Sequence, residues 1–273
     1  MDYYKLEFLT GTENTEILLA LLGQLPFEAF EEIPSGINAF IPVQNYSSDV
    51  EEGIKNFNNL LEFSYQKIII KYKNWNEEWE SNFQPILVEN FCGIRADFHQ
   101  PLSEVQYEII INPKMAFGTG HHETTWMMIK MMESLDFSQK MVFDYGCGTG
   151  ILAILAAMMN AKNIDAVDIE EPSYENTLEN SRINNISNIQ AIHGTLENTS
   201  HLTYDIILAN INRHVILDSL STLINMLSPS GKLLISGILI EDKEIVHQAA
   251  ESAGFKIQKT IQKNNWICTL LTT

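Results

Sequence analysis

From Met141 to the end of the chain, short β-rich apolar runs alternate with amphipathic helical stretches, and this rhythm restricts the fold more than any other feature. "MVFDYG", "NIDAVDI", "IQAIHG", "YDIILANI" and "GKLLISGIL" read as strands. "TGILAILAAMMN", "SYENTLENSRIN", "HVILDSLSTLINML" and "DKEIVHQAAESAG" lie between or after them and read as helices. Such alternation specifies a mainly parallel sheet with helices on both faces. "FKIQKTIQ" and "WICTLLTT" are expected to close it as an antiparallel pair. Upstream, "FCGIRADF" and "VQYEIIINP" are extended, and "TTWMMIKMMESLDF" is a helix whose methionines suit core filling.

The first 73 residues have a different organisation. "YYKLEFL", "FEAFEEI", "INAFIPV" and "YQKIIIKYK" read as strands, while "TENTEILLALLGQL" and "SDVEEGIKNFNNLLEF" read as helices. The order β-α-β-β-α-β indicates a small α+β ferredoxin-like domain with no evident catalytic set, hence a binding module. Residues 74–88 carry Trp75 and Trp79 at i, i+4 and suggest a helical linker docked through those rings. The division is therefore 1–73 for recognition, 74–88 for the linker and 89–273 for the α/β domain.

Composition narrows the function classes. With 35 acidic against 17 basic side chains, the net charge is −18, which opposes direct nucleic-acid binding. It favours a basic partner, or simply serves solubility. Cys92, Cys147 and Cys268 stand far apart without metal-ligand spacing, so neither a metal site nor a disulfide framework is expected. No apolar run approaches the ~20 residues of a membrane span, and the N-terminus lacks a signal-peptide pattern. A cytoplasmic monomer is expected.

"VFDYGCGTG" (Val142–Gly150) is a strand followed by a loop with glycines at 146, 148 and 150. A phosphate-binding P-loop needs Lys and Ser/Thr after the last glycine, where Ile151 and Leu152 stand. The dinucleotide fingerprint fails as well, because Ile151 occupies its third glycine position. Asp144 before the turn would repel a pyrophosphate but suit a cofactor with ammonium and sulfonium charge, such as S-adenosylmethionine. Asp168, at the end of the next strand, suits ribose hydroxyls. Asn210 emerges at the same sheet edge, where its amide oxygen can accept from an amine. Arg213 and His214 read as surface residues at a helix start.

These residues, with "NPKMAFGTGHHETT" (112–125) and "DIILANI" (205–211), resemble the bacterial methyltransferases that modify ribosomal protein L11. The resemblance implies a seven-stranded class I, Rossmann-like methyltransferase domain using S-adenosylmethionine. It implies cofactor contacts at Thr125, Gly146, Gly148, Asp168 and Asn210. It also implies an N-terminal domain that recognises the ribosomal protein, and methylation of lysine side chains and the N-terminal α-amine. His121, Glu123 and Asn212 depart from the family's usual residues, and all three lie near the acceptor path.

The expected chemistry is in-line positioning of a neutral amine against an activated methyl donor. Asn210 is the expected catalytic residue, with Phe117 packed on the cofactor and Thr125 holding its carboxylate. For His121 and His122, a proton relay and a loop-stabilising hydrogen bond stand as alternatives. The other functional readings are a class I methyltransferase for a different protein or small amine, and a non-catalytic S-adenosylmethionine-binding protein.

Overall fold

The computed structural model describes residues 1–71, 83–112, 122–199 and 203–273. The chain divides into two units, Met1–Trp75 and Asn76–Thr273. Trp75, Trp79, Phe117 and His121 lie outside the described residues.

The first unit runs β1 (Tyr3–Leu9), α1 (Thr15–Leu22), β2 (Ala29–Ile33), β3 (Gly36–Pro42), α2 (Ser48–Asn58) and β4 (Ser64–Ile70). Its sheet has the order β2-β3-β1-β4, with every pair antiparallel. This is the ferredoxin-like arrangement anticipated from the element order. Alternation along β1 sends Leu6 and Phe8 into a core shared with Leu18 and Leu22 of α1 and Val50 and Ile54 of α2. Helix α2 carries Asp49 and Glu51 in its first turn and Lys55 in its last, which complements the helix dipole. It ends at Asn58, five residues before the expected Phe63. Two successive asparagines are poor helix formers, and Asn58 Oδ1 instead accepts the N–H of Phe63 at 3.2 Å.

In the second unit, Ile86–Val88 (β5), at the end of the segment expected to be helical, is a strand. It pairs antiparallel with β6 (Cys92–Ala96), which pairs in parallel with β7 (Tyr107–Ile111). After α3 (Glu123–Met132) come β8 (Met141–Tyr145), α4 (Ile151–Met158), β9 (Asn163–Asp168) and α5 (Glu171–Ile183). Then follow β10 (Ile189–His193), β11 (Tyr204–Asn210), α6 (Arg213–Met226), β12 (Leu227–Leu239), α7 (Lys243–Ser252), β13 (Lys256–Lys263) and β14 (Trp266–Thr272). The seven-stranded sheet has the order β10-β9-β8-β11-β12-β14-β13, parallel except for β14, which is antiparallel to both neighbours. The expected antiparallel closing pair is thus present.

Strand alternation divides the core between the two faces. Val142, Ile206, Leu208 and Leu234 pack with Met127, Met128 and Ile154 of α3 and α4. Phe143, Ile207, Ala209 and Leu233 pack with Ile216 and Leu220 of α6 and Val246 of α7. The α3 methionines are buried in that first core, as their spacing suggested.

An asparagine stripe on α5 joins the three-stranded sheet to the larger one. Asn184 accepts from Ile110 N–H (2.9 Å) and donates to Ile110 C=O (2.6 Å). One turn earlier, Asn180 accepts from Asn112 N–H and donates to Thr149 C=O, at 2.9 and 2.8 Å. Side-chain amides therefore satisfy the β7 edge in place of a fourth strand. Asn180 is fully buried, so Asn180→Ala leaves an N–H and a carbonyl without partners. We expect a loss of about 2–3 kcal/mol in urea denaturation; a change below about 0.5 kcal/mol would show the stripe to be dispensable.

Candidate functional site

The strand order reverses between β8 and β11, so the helices leaving the two strands diverge and open a crevice at the strands' carboxyl ends. The β8–α4 loop forms its floor. Gly146 and Cys147 N–H both donate to Val167 C=O at 2.8 and 3.1 Å, and Gly150 N–H donates to Cys147 C=O at 2.8 Å. Gly146 has φ +73°, and a Cβ there would collide with the Ile211 side chain. Only glycine lets the backbone pass this close to β11 in the left-handed region.

Asp168 fastens the loop. Its Oδ2 accepts from Gly148 N–H at 2.9 Å and its Oδ1 from Glu170 N–H at 3.0 Å. A carboxylate offers about four lone-pair sites, so two bonds leave capacity for hydroxyl donors from the cavity. The bond to Gly148 depends on the loop folding back over the end of β9.

A cavity of about 440 Å³ lies above this floor. Asp168, Glu170, Ser173 and Gly194 line one part of it. Asn210, Asn212, Val215, His122, Thr124 and Trp266 also line it, with Gly146 and Gly148 contributing to the wall. Thr125 faces a recess of about 20 Å³ together with Gly146, Gly148, Thr149 and Asn210. Asn210 therefore borders both spaces. The five expected site residues thus converge on one crevice.

Asn210 Nδ2 donates to Thr125 Oγ1 at 3.2 Å, which fixes the amide plane. Its Oδ1 is buried and, among the described residues, has no hydrogen-bond partner. A buried carbonyl without a donor costs about 1–3 kcal/mol, so this atom suits an N–H brought by a ligand.

Asp144 departs from the sequence expectation. It does not line the cavity; it is 1% exposed beneath the loop. Strand alternation places it on the face of Val142, toward α4, where Oδ2 accepts from Ala153 N–H at 3.1 Å. Gly150, the N-cap of α4, has no side chain, so Asp144 satisfies a first-turn donor in its place. Burial pushes its carboxyl up to about 7, against the lowering effect of the Ala153 bond, and nearby Asp168 adds to the rise. Burial and the proximity of Asp144 also hold the Cys147 thiol protonated.

His122 is the N-cap of α3: its Nδ1 accepts from Thr124 N–H at 3.3 Å and lies 2.7 Å from Thr124 Oγ1. Of the two readings of His122, the geometry supports the stabilising hydrogen bond. Asn212 similarly caps α6, with Oδ1 accepting from Val215 N–H at 3.1 Å. A cap-forming residue directly before an apolar-periodic run was a usable signal for this role. Arg213 is partly exposed at the helix start and paired with Asp242, while His214 is exposed, as expected. Among the described residues, no group of three His, Cys, Asp or Glu side chains is gathered to hold a metal.

The Asp144 environment predicts a stability change with pH. Between the ordinary value of 3.8 and about 7, the folded chain keeps a proton that the unfolded chain releases. This contribution therefore weakens as pH rises through that window. Asp144→Asn is expected to flatten the fall in urea midpoint between about pH 4.5 and 7. An identical slope in the variant would remove Asp144 as its source.

Comparisons with known proteins agree with this architecture. The family model described as ribosomal protein L11 methyltransferase (PrmA) matches residues 17–273. A ribosomal protein L11 methyltransferase of Porphyromonas gingivalis is 40% identical over 94% of this chain and 90% of its own. One of Phocaeicola vulgatus is 38% identical over 97% of each. The crystal structure of a ribosomal protein L11 methylase from Lactobacillus delbrueckii subsp. bulgaricus superposes with a TM-score of 0.65 and 29% identity, covering 69% of this chain and 98% of its own. With a family match over most of its length and relatives this similar, the chain belongs to the ribosomal protein L11 methyltransferase family.

Proposed function

We propose that this enzyme transfers methyl groups from S-adenosylmethionine to the lysine and N-terminal amines of ribosomal protein L11, with Asn210 as its catalytic residue. Family membership supports the reaction, and the structural observation that carries the role is Asn210 itself, which lines the cavity and whose buried Oδ1 has no hydrogen-bond partner among the described residues. The crevice fits the cofactor: glycine backbone forms its floor, Asp168 retains acceptor capacity, and Thr125 sits in the first turn of α3. When bound, S-adenosylmethionine supplies a methyl group already activated on sulfonium sulfur.

The chain's own residues then bind and orient. Asp168 accepts from ribose hydroxyls while its bonds to Gly148 and Glu170 hold it in place. Thr125 accepts from Asn210, so its hydroxyl proton remains available for the cofactor carboxylate near the positive end of α3. Asn210 accepts one N–H of the incoming amine and turns the nitrogen lone pair toward the methyl group. A lysine, with an ordinary pKa of ~10.4, loses its proton on or before docking.

We assign substrate recognition to residues 1–73, joined by the 74–88 segment to the methyltransferase domain at 89–273. The compact first unit and the acidic chain facing a basic ribosomal protein support this assignment. Among the described residues no helix is long and apolar enough to cross a membrane. Together with free, buried cysteines and a ribosomal substrate, this supports a cytoplasmic site of action. We take the chain to act as a monomer that does not grip nucleic acid, which its charge opposes.

Incubation with labelled S-adenosylmethionine and purified ribosomal proteins tests the activity. Label is expected in L11; label in RNA, or none, would overturn it. Asn210→Ala is expected to lower kcat by about 10- to 100-fold with little change in cofactor Kd; unchanged turnover at saturating cofactor would remove Asn210 from the mechanism. Calorimetry on Asp168→Ala should show cofactor Kd raised about 10- to 100-fold; equal affinity would exclude the ribose role.

A further inference from the structure

The β13–β14 hairpin meets the start of α3 at three points. Lys263 Nζ lies 3.9 Å from the Trp126 ring centroid. Asn264 Nδ2 donates to Glu123 Oε1 at 2.9 Å. The Trp266 ring meets His122 edge-to-face, with centroids 4.8 Å apart and planes at 70°. Trp266 opens β14 opposite Leu239 and Lys263, and its half-buried side chain packs on the α3/α4 core. With Asn210, Asn212 and Val215 it lines the main cavity. Trp266 is thus held against the start of α3 and shares the lining of the main cavity with Asn210.

We propose that Trp266 is a specificity-determining residue that holds the acceptor amine and its methylated products in the cavity, sustaining repeated transfer to one nitrogen. This rests on the methyltransferase reading given above. In each round the nitrogen lone pair forms an N–C bond as the S–C bond of S-adenosylmethionine breaks, leaving S-adenosylhomocysteine. The proton released for each methyl added passes to solvent.

The demands on the site change from round to round. A neutral primary amine offers two N–H groups and a secondary amine one, so Asn210 Oδ1 can orient either. A neutral tertiary amine offers none, and the amide oxygen then has nothing to hold. An indole face has no such dependence. It attracts an alkylammonium at docking through its quadrupole and packs against N-methyl groups after the proton leaves. Tryptophan is the strongest aromatic partner for a cation. Asn210 thus governs the early rounds, and Trp266 matters increasingly in the later ones.

The test follows methylation of purified L11 by intact-mass spectrometry for the wild type, Trp266→Leu and Trp266→Phe. In Trp266→Leu, the rate of the last methyl addition relative to the first is expected to fall about 10-fold, so that lower methylation states accumulate. Calorimetry should show an unchanged Kd for S-adenosylmethionine. It should also show about 10-fold weaker binding of a dimethyllysine peptide to the S-adenosylhomocysteine complex. Trp266→Phe, which keeps an aromatic face, should recover most of both properties.

An unchanged methyl distribution in Trp266→Leu overturns the inference, as does an equal loss in the leucine and phenylalanine variants. A wild-type enzyme that stops after one methyl on each nitrogen also overturns it. Should Trp266→Leu fail to fold, Trp266→Phe decides alone: a fall of about 3-fold is expected, and equality with wild type sinks the proposal. If wild-type protein transfers no methyl to L11, the underlying functional reading fails instead.

Discussion

The crevice depends on the adjacency of β8 and β11, where the order of parallel strands reverses. Helices following the two strands leave toward opposite faces, so no helix covers the strand ends between them. Gly146, Asp168 and Asn210 occupy ends or loops of three neighbouring strands and reach one space despite wide separation in sequence. Gly146 is indispensable to that closeness, because its missing side chain lets the loop pass Ile211.

Polar groups that appear dedicated to a ligand also hold the scaffold. Asp168 braces Gly148 and Glu170, Asp144 serves the first turn of α4, and His122 and Asn212 cap the helices on either side of the cavity. Each group sits where backbone N–H groups lack helical or strand partners. Asn210 differs from Asp144 in placement: each has a buried oxygen without a partner among the described residues, but Asn210 lines the cavity whereas Asp144 lies beneath the loop.

Much of this organisation was legible in local pattern. Period-two and 3.6-residue apolar spacing located the strands and helices of both units, including the antiparallel closing pair. The glycine spacing and the absence of lysine after it identified the type of loop. Local pattern failed where asparagines competed with α2 and at β5, a three-residue strand that exists through pairing with β6. It also misjudged Asp144: the sequence places it next to the loop, whereas the pleat aims it beneath, toward Ala153.

The sequence by itself determined the order of elements, the glycine loop, and which acidic and amide residues end the strands, because these follow from local periodicity and backbone chemistry. Only the tertiary structure decided which of those groups remain free. Asp144 became a buried support and His122 a cap, Trp266 came from the far end of the chain to the cavity wall, and Asn210 joined that wall with a buried oxygen that has no partner among the described residues. The physical reason is that hydrogen bonds and desolvation depend on neighbours in space, and sheet order and the packing of α3 bring together groups as distant in sequence as Glu123 and Asn264.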